Sequence, residues 1–193
     1  MNAVGQETLD GARLGAEWAW TSIYRGFSPA ILGFMRAKGA HDPEGLTGEV
    51  FLQVVRDLGR FSGGLADFKA WVFTIARNRF LDDRRASSRR LTTPQPDEFL
   101  EAHGEIGDVE EEALRALGTE RVKELIIRLS PDQQDVLLLR IVADLSLEEV
   151  ARVLDKRTGA VKALQHRGLA SLRKEISVGP VSRGALATLG ETR

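Results

Sequence analysis

Two stretches of this chain carry side chains suited to holding a polyanion. The first, FSGGLADFKAWVFTIARNRFLDDRRASSRR over 61–90, interleaves rings with cations: Phe68, Trp71, Phe73 and Phe80 alternate with Lys69, Arg77, Arg79 and Arg84. Rings stack nucleobases and cations follow a phosphate backbone, which is what single-stranded nucleic acid requires; each stacked base contributes about 1–3 kcal/mol. The same rings can instead be core, because Ile75, Ala76 and Phe80 share one helix face, and Trp71 is the first candidate for a ring that reaches solvent. The second stretch, Ser146 to Lys174, reads as two short capped helices, one from Ser146 to Leu154 and one from about Thr158. That is the layout of a helix-turn-helix. Away from its apolar side, the second helix offers Arg157, Lys162, Gln165, His166 and Arg167. Gln reads adenine edges, and Lys or Arg reads guanine or neutralises phosphate. The free amides at such a helix start also attract phosphate. An ordinary helical hairpin with a solvated basic face is the alternative.

Net charge conceals this signal. The 193 residues hold 27 Lys+Arg and 28 Asp+Glu, a formal charge of −1. Residues 69–90 nevertheless sum to +5 and residues 156–174 to +6, whereas 97–112 sum to −8. Two basic blocks flanking an acidic spacer suggest two surfaces for a polyanion. With no cysteine there is no disulfide, no thiol nucleophile and no Cys-ligated zinc. His41, His103 and His166 have no metal-ligand spacing. No phosphate-cradling glycine loop or nucleophile elbow is present. Asp82 and Asp83 are adjacent, so they point differently on a helix and make a poor acid–base pair. No catalytic residue, metal or cofactor is therefore expected. The N-terminus lacks the basic start and apolar core of a signal peptide, and no apolar run reaches the length of a membrane span. The expectation is a cytoplasmic protein.

The elements that must position these residues are helical throughout. Trp18, Ile23, Phe27, Ile31, Phe34 and Met35 recur at helical steps, with a bend or break expected at Pro29. Val50, Phe51, Val54, Val55 and Leu58 repeat the pattern, and Phe68, Trp71, Val72, Ile75, Ala76, Phe80 and Leu81 form a third stripe. Pro94, Pro96 and the acids after them predict a flexible linker over 91–112. That linker is also expected to shadow the basic surfaces through Glu110, Glu111 and Glu112. Ser130-Pro131 marks a helix start. Ser146 with Glu149 makes a capping box, and Thr158 is placed as the cap of the last helix. The expected organisation is all-α. A frayed tail covers 1–13, a helical domain 14–90, the linker 91–112, a second helical domain 113–177 and a disordered tail 178–193.

The strings themselves resemble a known family. FKAWVFTIARNRFLDDRR is similar to region 2 of the sigma-70 family in its small two-domain subclass, the extracytoplasmic function (ECF) sigma factors. EGLTGEVFLQVV resembles that family's polymerase-docking helix. LSPDQQDVLLLRIVADLSLEEVARVLDKRTGAVKALQHRGLASLRKEI resembles region 4. The resemblance covers about 16–90 and 113–176, in order. It implies a sigma factor, not an enzyme, that binds core RNA polymerase and opens promoter DNA, often held by an anti-sigma partner. It places Leu46, Glu49, Phe51 and Leu52 against polymerase. Lys69, Trp71, Asn78, Arg79, Arg84, Arg85, Arg89 and Arg90 fall at the −10 element or just upstream, and Arg157, Thr158, Lys162, Gln165, His166 and Arg167 at the −35 element. The sequence departs from the family pattern at Gly45 and Gly48, where an acid and an amide are usual. Each glycine costs a helix interior about 0.8–1 kcal/mol. Two readings of the intervening Thr47 follow: an unmodified helix residue, which is preferred, or a phosphorylated one that restores the charge. The competing functions are a self-contained DNA-binding regulator, an enzyme and a pure interaction module such as an anti-sigma factor. The basic-aromatic helix argues against the first, and the basic recognition helix against the last.

Overall fold

A computed structural model describes residues 4–90 and 124–178. All regular elements among them are helices: α1 (Gln6–Arg13), α2 (Glu17–Ala37), α3 (Pro43–Asp57), a 3-10 turn (Leu58–Arg60), α4 (Leu65–Arg90), α5 (Pro131–Ile141), α6 (Leu147–Leu154) and α7 (Thr158–Val178). The predicted linker over 91–112 and the tail beyond Val178 lie outside the described residues.

The expected frayed tail is corrected at once, because residues 6–13 form α1. Eight residues are too few to hold a helix in isolation. This one is held by tertiary contacts: Leu9 and Ala12 are buried against α2, and Arg13 donates to the carbonyls of Phe61 and Gly63 at 3.4 and 3.2 Å. The expected break at Pro29 is absent, since α2 runs through it from Glu17 to Ala37. Proline removes one backbone donor, but Phe27 and Ile31, both buried, anchor the helix on either side. Trp18, expected on the apolar stripe, is 57% exposed. Asp42 caps α3, its carboxylate accepting from the Gly45 amide at 2.8 Å, with Pro43 in the first turn. The stripe of α4 goes inward: Phe68 meets Phe27 edge-on at 5.6 Å, and Phe73 meets Phe34 at 6.3 Å. Such aromatic contacts add to simple area burial.

The C-terminal half follows its local signals. Ser130 and Ser146 both form capping boxes, with Gln133 and Glu149 respectively. Asp155 takes a left-handed conformation (φ 50°) and turns the chain from α6 into α7. Thr158 is the first residue of α7 rather than its cap, and the Arg157 carbonyl accepts the first helical bonds. Gly168 lets α7 approach α5 closely; a Cβ there would stand 3.0 Å from Leu137 Cδ1. Ile141, at the end of α5, is 68% exposed despite its apolar type.

The halves are not separate in space. α4 packs on α6 and α2 touches α5, so a single apolar core runs from Leu9 to Val161.

Candidate nucleic-acid interface

The helix-turn-helix is built from local chemistry. Capped at Ser146, α6 buries Val150, Ala151, Val153 and Leu154. A three-residue turn then aims α7, which buries Val161 and tucks Leu164 against the core. This leaves Arg157, Lys162, His166 and Arg167 exposed and Gln165 half-exposed on the outer side. None of the five has a side-chain hydrogen bond or ion pair among the described residues. They form one basic, amide-bearing strip at the start of a helix, with Thr158 at its head. The strip can dock a duplex groove and its flanking phosphates.

The basic stretch of α4 is different. Lys69 donates to the Asp144 carbonyl at 2.5 Å and lies 3.9 Å from its carboxylate. Arg77 Nε donates to Asp135 Oδ2 at 2.7 Å. Arg79 Nε donates to Gln53 Oε1 at 2.8 Å, and its guanidinium lies 3.7 Å from Glu49. Arg85 pairs with Asp82 at 2.9 Å. Asn78 and Arg84 are exposed. Arg84, Arg85 and Arg89 line a shallow groove with Leu81 and Ser88, and Arg90 ends the helix. The rings are mostly core: Phe68, Phe73 and Phe80 are buried. Trp71 is half-buried and stacks on Phe61 at 4.9 Å.

On α3, Leu46 and Phe51 are buried and hold the bundle, so they do not offer a docking surface. Leu52 is 66% exposed, and beside it Val55, missed as a surface residue by its apolar type, is 54% exposed. Tyr24 of α2 packs its ring against Phe51 at 4.7 Å while remaining half in solvent. Glu49 is exposed apart from its contact with Arg79. Glu44 is paired with Arg36, and this partner holds its carboxyl below the ordinary 4.5. Thr47 is buried and its hydroxyl donates to the Pro43 carbonyl at 2.7 Å. That geometry favours the unmodified reading, because a kinase cannot reach the hydroxyl without opening α3. Gly48 faces open space. At Gly45, a Cβ would collide with the Asp42 carboxylate.

These features define a helical protein with an exposed basic helix-turn-helix and a second, partly engaged cationic helix. Comparison gives the family. The Sigma-70 region 2 model matches residues 23–90, and the Sigma-70, region 4 model matches 119–174. The ECF RNA polymerase sigma factor BldN of Streptomyces coelicolor is 34% identical over 170 residues, covering 87% of this chain and 64% of that protein. This chain thus spans just under two thirds of BldN's length. The ECF RNA polymerase sigma factor SigD of Mycobacterium tuberculosis is 30% identical over 182 residues, covering 91% of this chain and 84% of that protein. The chain belongs to the ECF group of the sigma-70 family. Its fold is also that of CnrH, solved in complex with the cytosolic domain of CnrY. That match has a TM-score of 0.69 at 20% identity, over 90% of this chain and 97% of that one.

Proposed function

We propose that this chain is a non-catalytic initiation factor that binds core RNA polymerase and directs it to promoters, with α7 at the −35 element and α4 at the −10 element. The observation that carries the reading is the unpartnered strip Arg157, Lys162, Gln165, His166 and Arg167 on a capped helix-turn-helix, in one chain with the basic-aromatic α4. A self-contained regulator would need only the first. Such a factor works where polymerase and DNA are, in the cytoplasm, and no helix among the described residues is long and apolar enough to cross a membrane. An anti-sigma partner fits this class.

Docking on polymerase falls to the exposed side of α3, with Leu52 and Val55 as apolar contacts and Glu49 as the acid. Asp42 compensates for Gly45. Its carboxylate lies across the Gly45 backbone, in the space a side chain at 45 would fill. It thus presents a negative charge where the family carries its acid.

Two variants test this in gel filtration with core polymerase. Leu52→Glu should abolish co-elution. Asp42→Asn should weaken it severalfold at low salt with no loss of helix, because Asn caps as well as Asp. Wild-type protein that ignores polymerase yet binds duplex DNA would instead establish the independent regulator.

A further inference from the structure

The interface between the two halves is built around one carboxylate. Asp135, on α5, is buried with its side chain 4% exposed. Its Oδ1 accepts from Lys38 Nζ at 2.7 Å and its Oδ2 from Arg77 Nε at 2.7 Å. Lys38, 3% exposed, also donates to Gln134 at 3.2 Å and lies 5.0 Å from the Phe80 ring centre. Both cations come from the N-terminal half and the anion from the C-terminal half. Around this triad, Lys69 holds the Asp144 carbonyl, and Arg152 of α6 faces Asp67 of α4 at 3.7 Å. On the other side, Val142 sits against Gly33 of α2, where a Cβ would stand 3.1 Å from Val142 Cγ1. Buried ion pairs of this kind are better attested as devices for fixing one arrangement than as sources of net stability.

The closed arrangement cannot read a whole promoter. Elements centred about 25 base pairs apart are about 85 Å apart along a duplex, at about 3.4 Å per pair. A packed chain of this length has a radius of gyration of about 16 Å. The 33 residues between Arg90 and Glu124 can span at most about 110 Å when extended, enough once the halves part.

We infer that Asp135 latches a closed resting form in which the −10 reader is withheld while the −35 reader stays available. Lys69 and Arg77 are held by the C-terminal half, and α6 packs along α4 beside them. The strip on α7 makes no side-chain hydrogen bond or ion pair with the N-terminal half among the described residues. Docking on polymerase must then break the triad before the strand of the −10 element can be held. The inference rests on the sigma reading for its meaning, but closure itself is measurable without polymerase.

The absence of cysteine makes the test clean. In a Gly33→Cys, Val142→Cys double variant of the full chain, a sulfur placed where Val142 Cγ1 stands lies 3.1 Å from the Cβ at 33, within reach of a disulfide. Mild oxidation should cross-link the chain nearly completely. The oxidised form should lose at least tenfold in binding to a mixed-sequence single strand and in polymerase-dependent run-off transcription. Duplex binding should change less than twofold, and reduction should restore everything. Asp135→Asn, placed in the same reduced double variant, should slow cross-linking severalfold. Failure of the disulfide to form, or full transcription by the cross-linked protein, overturns the latch. If reduced and wild-type proteins both fail to direct transcription while the cross-link forms and suppresses single-strand binding, the sigma reading falls and the latch stands.

Discussion

The cations in the first turns of α4 and those on the outer side of α7 are treated in opposite ways. In the N-terminal half Lys38, Lys69, Arg77 and Arg79 all have oxygen partners, and two of those cations converge on one buried carboxylate. In the C-terminal half the cations on the outer side of α7, Arg157, Lys162 and Arg167, have none among the described residues. By composition the two basic blocks look alike. By structure Lys69 and Arg77 of one are engaged in holding the chain closed, and Arg157, Lys162 and Arg167 of the other are ready for phosphate. A run of Lys and Arg therefore marks a surface with affinity for polyanions, and the conformation decides when that surface is available.

The strongest way to break this comparison is to remove the shared carboxylate. Asp135→Ala leaves Lys38 and Arg77 facing each other without a counter-charge, and loss of one member of a buried pair costs about 3–5 kcal/mol. All three tryptophans, Trp18, Trp20 and Trp71, lie in the N-terminal half. Urea unfolding followed by fluorescence and by circular dichroism should therefore coincide in wild type and separate in the variant. Coincident curves at the wild-type midpoint would mean the triad does not join the halves.

A smaller effect starts in the C-terminal half. Ser146→Ala removes the hydroxyl that accepts from the Glu149 amide at 3.1 Å, costing about 1 kcal/mol. Duplex binding should weaken, and because the halves unfold together the fluorescence and circular dichroism transitions should fall together to a slightly lower midpoint. Next, Lys162→Ala should reduce the salt dependence of duplex binding by about one phosphate contact. Lys69→Ala in the free chain should leave it unchanged. Equal effects would erase the contrast between the two surfaces.

The smallest effect is at Glu44. Arg36 lowers its carboxyl, so the ion pair stabilises the fold above the unfolded carboxyl's titration. That contribution is lost as pH falls through the lowered folded value. The pair is largely exposed, so Glu44→Gln should cost at most a few tenths of a kcal/mol near neutrality. The gap should close in acid thermal melts.

What the sequence made legible was local. Ser130 and Ser146 cap as read, because a cap and its partner lie three residues apart. The three apolar stripes of the N-terminal bundle were legible from helical spacing, and the basic strip of α7 from residue type. What was missed depends on distant partners. α1 is a weak helix by itself and is ordered by contacts with α2 and the 61–63 backbone. Pro29 reads as a breaker until Phe27 and Ile31 are seen buried beside it. Leu46 and Phe51 carry the docking helix's motif but face inward, whereas Val55 looks like core and faces out. The triad was invisible because Lys38 and Arg77 are 97 and 58 residues from Asp135, and no periodicity encodes such a meeting.

The most direct measurement is run-off transcription by core polymerase, with and without this chain, on a library of genomic fragments. Starts that appear only with the chain, and that share two short elements near 10 and 35 base pairs upstream, are the expected result. They should vanish when Leu52→Glu replaces wild type. A library on which the chain adds no start, although it co-elutes with polymerase, would contradict the assignment of promoter reading to α4 and α7.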